Sequence, residues 1–285
     1  MKVFVIGVGL IGGSLAKDFK KHLEDVTIFG IDLNEKNLNK ALELGVIDEK
    51  AHLNDVAKAD CVILSVPVDV SSVIIEDILN LVKDDAIVFD VGSTKFQICK
   101  QVRNHPKRRN FLATHPIAGT EFSGAEAALE GLFEGKVNII SEVEKTAFKL
   151  QEWALEVFKK IGMRIRYMDP VAHDKHIAYV SHLSHISSFM LGKTVIEKEQ
   201  NERDIFDLAG SGFESTVRLA KSSPQMWTPI FKQNKAFVLE SLEEYIVNLN
   251  NFKNFIQQDD YQAVHDEMLN TNRIKEILNG INKKK

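Results

Sequence analysis

One short segment constrains this chain more than any other. Lys2-Val3-Phe4-Val5-Ile6 is a β-prone apolar run, Gly7-Val8-Gly9-Leu10-Ile11-Gly12 follows at once, and Leu10, Ile11, Leu15 and Phe19 then recur at helical spacing. Strand, glycine turn and helix in that order form the fingerprint of a dinucleotide-binding βαβ unit. Gly7 permits the tight turn, Gly9 lets the backbone approach a pyrophosphate, and Gly12 lets helix and strand pack closely. The helix start, with Leu10 and Ile11 in its first turn, offers free N–H groups and a partial positive charge to phosphates.

Asp32 closes the second apolar run, Val26 to Ile31, and stands 20 residues after Gly12, where a carboxylate accepts both ribose hydroxyls of an adenosine. It also fits a helix N-cap ahead of Asn34 to Leu44. The expected cofactor is NAD, because a 2'-phosphate would face the Asp32 charge and Leu33-Asn34 offers no arginine to receive it. Lys36 is the nearest cation and leaves room for some NADP use.

Up to residue 168, β-rich runs alternate with helical patterns: Lys2 to Ile6, Val26 to Ile31, Cys61 to Val66, Ala86 to Val91, Phe111 to Ala113, Val137 to Ile140 and Met163 to Tyr167. Such alternation predicts an α/β fold, a Rossmann-type doubly wound, mostly parallel sheet. Cys61-Val62-Ile63-Leu64 is apolar throughout, as expected of a strand buried on both faces. After Asp169-Pro170 only helical periodicities remain, so the expected domains are a dinucleotide-binding domain over 1–168 and an all-helical substrate and dimerisation domain over 169–285. Phe231 to Phe255 reads as one long helix whose apolar stripe needs other helices or a second subunit, which makes a homodimer through this domain the expected assembly.

Lys plus Arg number 36 against 40 Asp plus Glu, a net charge of -4, so no global positive field exists for nucleic acid or an anionic membrane. The basic runs at Lys107-Arg108-Arg109 and Lys283-Lys284-Lys285 read as solvated turns and tail. Cys61 and Cys99 belong to no Cys-x-x-Cys pair and read as buried small hydrophobes. The N-terminus lacks a signal-peptide core and no apolar stretch is long enough for a membrane helix, so the cytoplasm is the expected location.

In an open parallel sheet, ligands sit beyond the carboxyl ends of the strands. Ser65-Val66-Pro67 follows the third strand and would shape the cofactor crevice. Gly92-Ser93-Thr94-Lys95 follows the fourth; its hydroxyls suit either a helix N-cap or a place near the nicotinamide. Thr114-His115-Pro116-Ile117-Ala118-Gly119 follows the fifth and puts an imidazole on the ligand side, where oxidation of an alcohol needs an acceptor for the hydroxyl proton.

Together with Ser181-His182-Leu183-Ser184-His185, Gly210-Ser211-Gly212-Phe213, Arg218 and Trp227, in this order, these motifs resemble the prephenate and arogenate dehydrogenases over nearly the whole chain. The His-Pro-Ile-Ala-Gly segment and the paired-histidine motif are its specific marks. The resemblance implies NAD-dependent oxidative decarboxylation of prephenate to 4-hydroxyphenylpyruvate, on the route to tyrosine. It implies that His115 bonds the substrate's 4-hydroxyl and that Ser93 orients both. Glu121 would stand at the pocket mouth, His185, Arg218 and Ser211 would bind substrate, and Trp227 would help to build the wall. Arg218 suits the pyruvyl carboxylate through a bidentate contact. The chain departs from the family pattern at Ser184, where proline is common, and at Ser211, which interrupts a glycine run; both bear on prephenate against arogenate. Feedback by tyrosine, if there is any, would have to act at the active site itself.

Other readings compete at several positions. His173, His176, His182 and His185 form two His-x-x-His pairs, but at about 100° per residue they face opposite sides of a continuous helix, so no metal site is expected. His182 suits a core histidine bonded to backbone as well as a substrate contact. Arg218 suits a surface pair with Glu214, and Trp227 a core aromatic. Arogenate dehydrogenase and a non-catalytic NAD sensor are the alternative functions.

Overall fold

The structure, a computed structural model, describes residues 1–199 and 204–283; Lys284 and Lys285 of the terminal basic run lie outside the described residues. Its strands are β1 (Lys2–Ile6), β2 (Thr27–Ile31), β3 (Glu49–Lys50), β4 (Cys61–Leu64), β5 (Ile87–Asp90), β6 (Phe111–Pro116), β7 (Val137–Ser141) and β8 (Arg164–Tyr167). They form one eight-stranded sheet in the order β3-β2-β1-β4-β5-β6-β7-β8. All neighbours run parallel except β6 and β7.

Helices α1 (Leu10–His22), α2 (Glu35–Glu43), α3 (Val68–Leu81), α4 (Phe96–Gln101) and α5 (Phe148–Lys160) cover the sheet. Side chains alternate across a strand, so Val3 and Val5 of β1 join Leu15, Phe19, Leu38 and Phe158 on the face covered by α1, α2 and α5. Phe4 and Ile6 join Ile75, Leu79 and Ile98 on the face covered by α3 and α4. The expected doubly wound sheet is therefore present, with β4 and β5 buried on both faces.

Within the sheet, two details differ from the sequence reading. β3 is a pair of exposed polar residues at the sheet edge, with no apolar pattern to betray it. β6 extends beyond Ala113 to Pro116, so His115 lies in the strand and not after it; antiparallel pairing with β7 sets His115 opposite Ile139 and prolongs the ladder.

The helical part contains α6 (Pro170–Ile177), α7 (Leu183–Glu199), α8 (Ser211–Val217), α9 (Pro224–Gln233), α10 (Lys235–Gln257), α11 (Tyr261–Thr271) and α12 (Ile274–Lys283). Compactness divides the chain into Met1–Lys235 and Ala236–Lys285, so α6 to α9 belong with the sheet. The expected single helix from Phe231 to Phe255 is two helices. Asn234 interrupts it as the C-cap of α9, its buried amide donating to the Asp174 carbonyl at 2.7 Å and lying 3.2 Å from His182 Nδ1. In the second unit, Leu239, Ile246, Leu249, Leu269, Ile277 and Leu278 are exposed. Among the described residues no helix is long and apolar enough to cross a membrane.

Candidate active site

Strand order reverses at β1, whose neighbours are β2 and β4, and the crevice at such a switch point lies beyond the strand carboxyl ends. The parallel strands deliver Gly7, Asp32, Ser65, Ser93 and His115 to this one edge. Gly7 has φ +90°, and a Cβ there would stand 2.6 Å from the Ser65 carbonyl oxygen. A Cβ on Gly12 would stand 2.1 Å from Ser65 Oγ, which itself donates to the Gly7 carbonyl. Gly9 is the opposite case, since no atom lies within 4 Å of the place its Cβ would take. Gly9 is also the N-cap of α1 without any side-chain cap, and no acidic residue occupies the first turn at Leu10 and Ile11. An open backbone beside uncapped N–H groups fits a pyrophosphate.

Asp32 is not the N-cap of α2; Asn34 takes that role, accepting from the Lys36 and Asn37 amides. The Asp32 carboxylate instead accepts from Val8 N–H at 3.1 Å, Asn34 N–H at 2.9 Å and Asn37 Nδ2 at 2.7 Å. Asn37, which the sequence did not single out, thus ties the carboxylate to the glycine turn, and its Oδ1 accepts from Ala125 N–H at 2.7 Å. Val66 leads into Pro67, which is the N-cap residue of α3 and stops β4 where Ser65 meets Gly7.

Ser93 and Thr94 do not cap α4 either. The Lys95 and Phe96 amides at the start of α4 donate to the two oxygens of Asp174, at 2.7 and 2.9 Å, across 79 and 78 positions of sequence. Thr94 Oγ1 donates to Gln233 Oε1 at 2.8 Å, and the half-buried Ser93 hydroxyl has no hydrogen-bond partner among the described residues. Beneath this loop the buried Lys95 ammonium pairs with Asp90, which also accepts from Gly92 and Thr114 amides. Burial pushes the Asp90 carboxyl up against the opposing pull of Lys95.

His115 is half-buried, and its Nδ1 lies 2.8 Å from Nε2 of the buried His173. His173 Nδ1 lies 2.7 Å from Asp174 Oδ1, completing a line from carboxylate to imidazole to imidazole. Asp169 accepts from Val171 and Ala172 amides and Pro170 takes the first helical position, which starts α6 and puts His173 and Asp174 in its opening turns. Burial, then His173, Lys95 and His182, hold the His115 pKa well below its ordinary value. The imidazole is therefore neutral near pH 7.

The helix does not run straight through the paired histidines. A π turn over Ala178–His182 links α6 to α7 and resets its phase. His182 is fully buried against Asn234 and Trp227, bonded to a side chain and not to backbone as expected, and burial lowers its pKa to about 4. His185 stacks on Trp227 at 3.5 Å between ring centroids. Trp227 is 7% exposed and packs with Val68 and Ile230, so it is both a core aromatic and the support of His185. Among the described residues no three His, Cys, Asp or Glu side chains form a group that could hold a metal ion.

Arg218 pairs with Glu121 at 3.4 Å and not with Glu214, although its side chain stays 52% exposed. Its charge also lowers the His185 pKa, behind burial as the main cause. Arg218, Glu121, His185 and Trp227 thus form one neighbourhood. Ser211 opens α8, exposed, and no hydrogen bond links it to the others.

The family models that match are the nucleotide-binding domain of prephenate dehydrogenase over residues 15–167 and its dimerization domain over 169–270. The chain is 31% identical over 266 residues to a prephenate dehydrogenase of Bacillus subtilis, covering 90% of this chain and 71% of that protein. It is similar to a crystal structure of prephenate dehydrogenase from A. aeolicus in complex with hydroxyphenyl propionate and NAD+, with TM-score 0.88, 35% identity and 97% of each chain covered. A Synechocystis arogenate dehydrogenase structure matches with TM-score 0.77 and 27% identity, over 98% of this chain and all of that one (100%).

Proposed function

The chain belongs to the prephenate dehydrogenase family, and from that premise we propose that it converts prephenate and NAD to 4-hydroxyphenylpyruvate, carbon dioxide and NADH. The observation that carries this reading is His115, neutral and half-buried, with Nδ1 engaged by His173 so that Nε2 is left for a substrate at the carboxyl edge of the sheet, near the Ser93 hydroxyl, which has no partner among the described residues. Gly7, Gly9 and Asp32 would hold NAD, which when bound would supply the acceptor for the hydride from substrate C4.

His115 Nε2 takes the hydrogen bond, and then the proton, of the 4-hydroxyl as the carbon becomes a carbonyl. The bond from C1 to its carboxylate breaks, its electron pair makes the ring aromatic, and His115 returns the proton to the phenolic oxygen. Ser93 orients that hydroxyl. Arg218 holds the pyruvyl carboxylate, with Glu121 steadying the guanidinium, and His185 on its Trp227 platform lines the same wall. Ser211, exposed at the start of α8, is assigned to the substrate by the family resemblance alone.

Likeness to the Synechocystis protein favours a second reading, arogenate as substrate, in which an amino group replaces the keto group. NADH absorbance with prephenate or arogenate, each with NAD or NADP, separates them; turnover of prephenate with NAD is expected, and silence with both substrates overturns the enzyme reading in favour of a sensor. The exposed apolar residues of α10 to α12 and the dimerization-domain match support a homodimer, which light scattering checks as twice 32.1 kDa.

A further inference from the structure

Asp174 stands at the meeting of both catalytic strand ends. Its Oδ1 accepts from the Lys95 amide and faces His173 Nδ1, while its Oδ2 accepts from the Phe96 amide. Asn234 pins the Asp174 carbonyl from α9. The residue is 2% exposed and His173 is 1% exposed, so neither can touch a ligand without displacing the packing around it.

Hydrogen accounting along this line leaves little freedom. A carboxylate oxygen accepts only, so His173 Nδ1 carries a hydrogen. A neutral His173 then presents a lone pair at Nε2, and the 2.8 Å contact requires His115 Nδ1 to donate. The alternative, with both His173 nitrogens donating, makes His115 Nδ1 the acceptor and gives the Nε2–H tautomer, which the spectrum below distinguishes from the first. We propose that Asp174 and His173 are positioning residues: they fix His115 as the Nδ1–H tautomer with its Nε2 lone pair directed to the substrate hydroxyl, while the same carboxylate, by capping α4, places Ser93. The inference rests on the proposed oxidation of a 4-hydroxyl. When Nε2 takes the substrate proton, Nδ1–H stays on His173, and Asp174 balances the positive charge through that ring. A third group orienting the base is the arrangement that nucleophile-base pairs use generally.

The tautomer can be read without turnover. In protein labelled with ¹⁵N-histidine, the His115 resonances, assigned by their loss in His115→Asn, are expected to show Nε2 unprotonated and Nδ1 protonated at pH 7. His173→Phe removes the acceptor, and the His115 signal is expected to move toward the Nε2–H form. Its kcat should fall between about 10-fold and 10⁴-fold, the upper end being the loss in a serine protease triad whose orienting carboxylate is changed. KM for NAD should stay the same. His173→Gln restores an acceptor near Nε2 and should recover much of kcat and the native tautomer.

The groups facing His115 are His173 of α6, Lys95 at the start of α4 and His182 of the π turn, so the acid limb of kcat is also expected to move in His173→Phe. A wild-type His115 protonated at Nε2, or a His173→Phe protein with unchanged tautomer and kcat, overturns the proposal. Absence of turnover with either substrate overturns the enzymatic reading alone, since the wild-type spectrum still reports the tautomer.

Discussion

At the scale of single residues, the site pairs a neutral imidazole with an exposed guanidinium, and the two should fail differently. His115→Asn removes the acceptor for the hydroxyl proton, so kcat should fall about 10²- to 10⁴-fold while NAD affinity, measured by fluorescence titration, is kept. Arg218 holds a part of the substrate that does not change charge when hydride leaves. Arg218→Ala is therefore expected to raise KM for prephenate much more than it lowers kcat, and equal falls in kcat and kcat/KM would reject the carboxylate assignment. Burial and neighbouring positive groups lower the His115 pKa, so the proton acceptor stays unprotonated below the usual histidine range. The kcat profile should accordingly keep its plateau to well below about pH 6.5, the ordinary histidine value.

Among the elements, the β1 to α1 turn separates folding from binding at two glycines. An added Cβ at Gly12 meets Ser65 Oγ and the Gly7 carbonyl at 2.1 and 2.3 Å, so Gly12→Ala should cost about 1–3 kcal/mol, seen as a lower urea midpoint. At Gly9 the same atom meets nothing within 4 Å, so Gly9→Ala should leave the midpoint unchanged and weaken NAD binding alone. Unaltered NAD affinity in Gly9→Ala would remove the pyrophosphate from this turn. The glycine turn was legible because its chemistry is written within a few consecutive residues, and the strands because burial on both faces leaves continuous apolar runs. The line from His115 through His173 to Asp174 was not, since His115 meets His173 across 58 positions and Asp174 meets the start of α4 across 79. His173 was visible only as half of a His-x-x-His pair, and nothing local announced the π turn or the break at Asn234 that redirect the helices around it.

For the molecule as a whole, the site's histidines set how folding responds to acid. His182 is fully buried, its Nε2 has no partner among the described residues, and its pKa is lowered to about 4, chiefly by burial. In the unfolded chain the same ring takes its proton near about pH 6.5. Between these values the unfolded state binds the extra proton, so the contribution of His182 to stability is present above about pH 6.5 and lost as pH falls toward about 4. The loss from this ring alone is about 3 kcal/mol, at about 1.4 kcal/mol per pH unit. His115 and His185, also lowered by burial, add in the same direction, whereas Asp18 and Asp90, raised by burial, oppose it. His182→Phe keeps a ring against Trp227 and Phe231 and removes the titration. Urea unfolding of wild type and variant across pH 4 to 7 should show a shallower acid decline in the variant, by close to one proton. Parallel curves would mean that the imidazole is hydrated in the folded protein, and with it that the wall built by Trp227 and His185 is open to water.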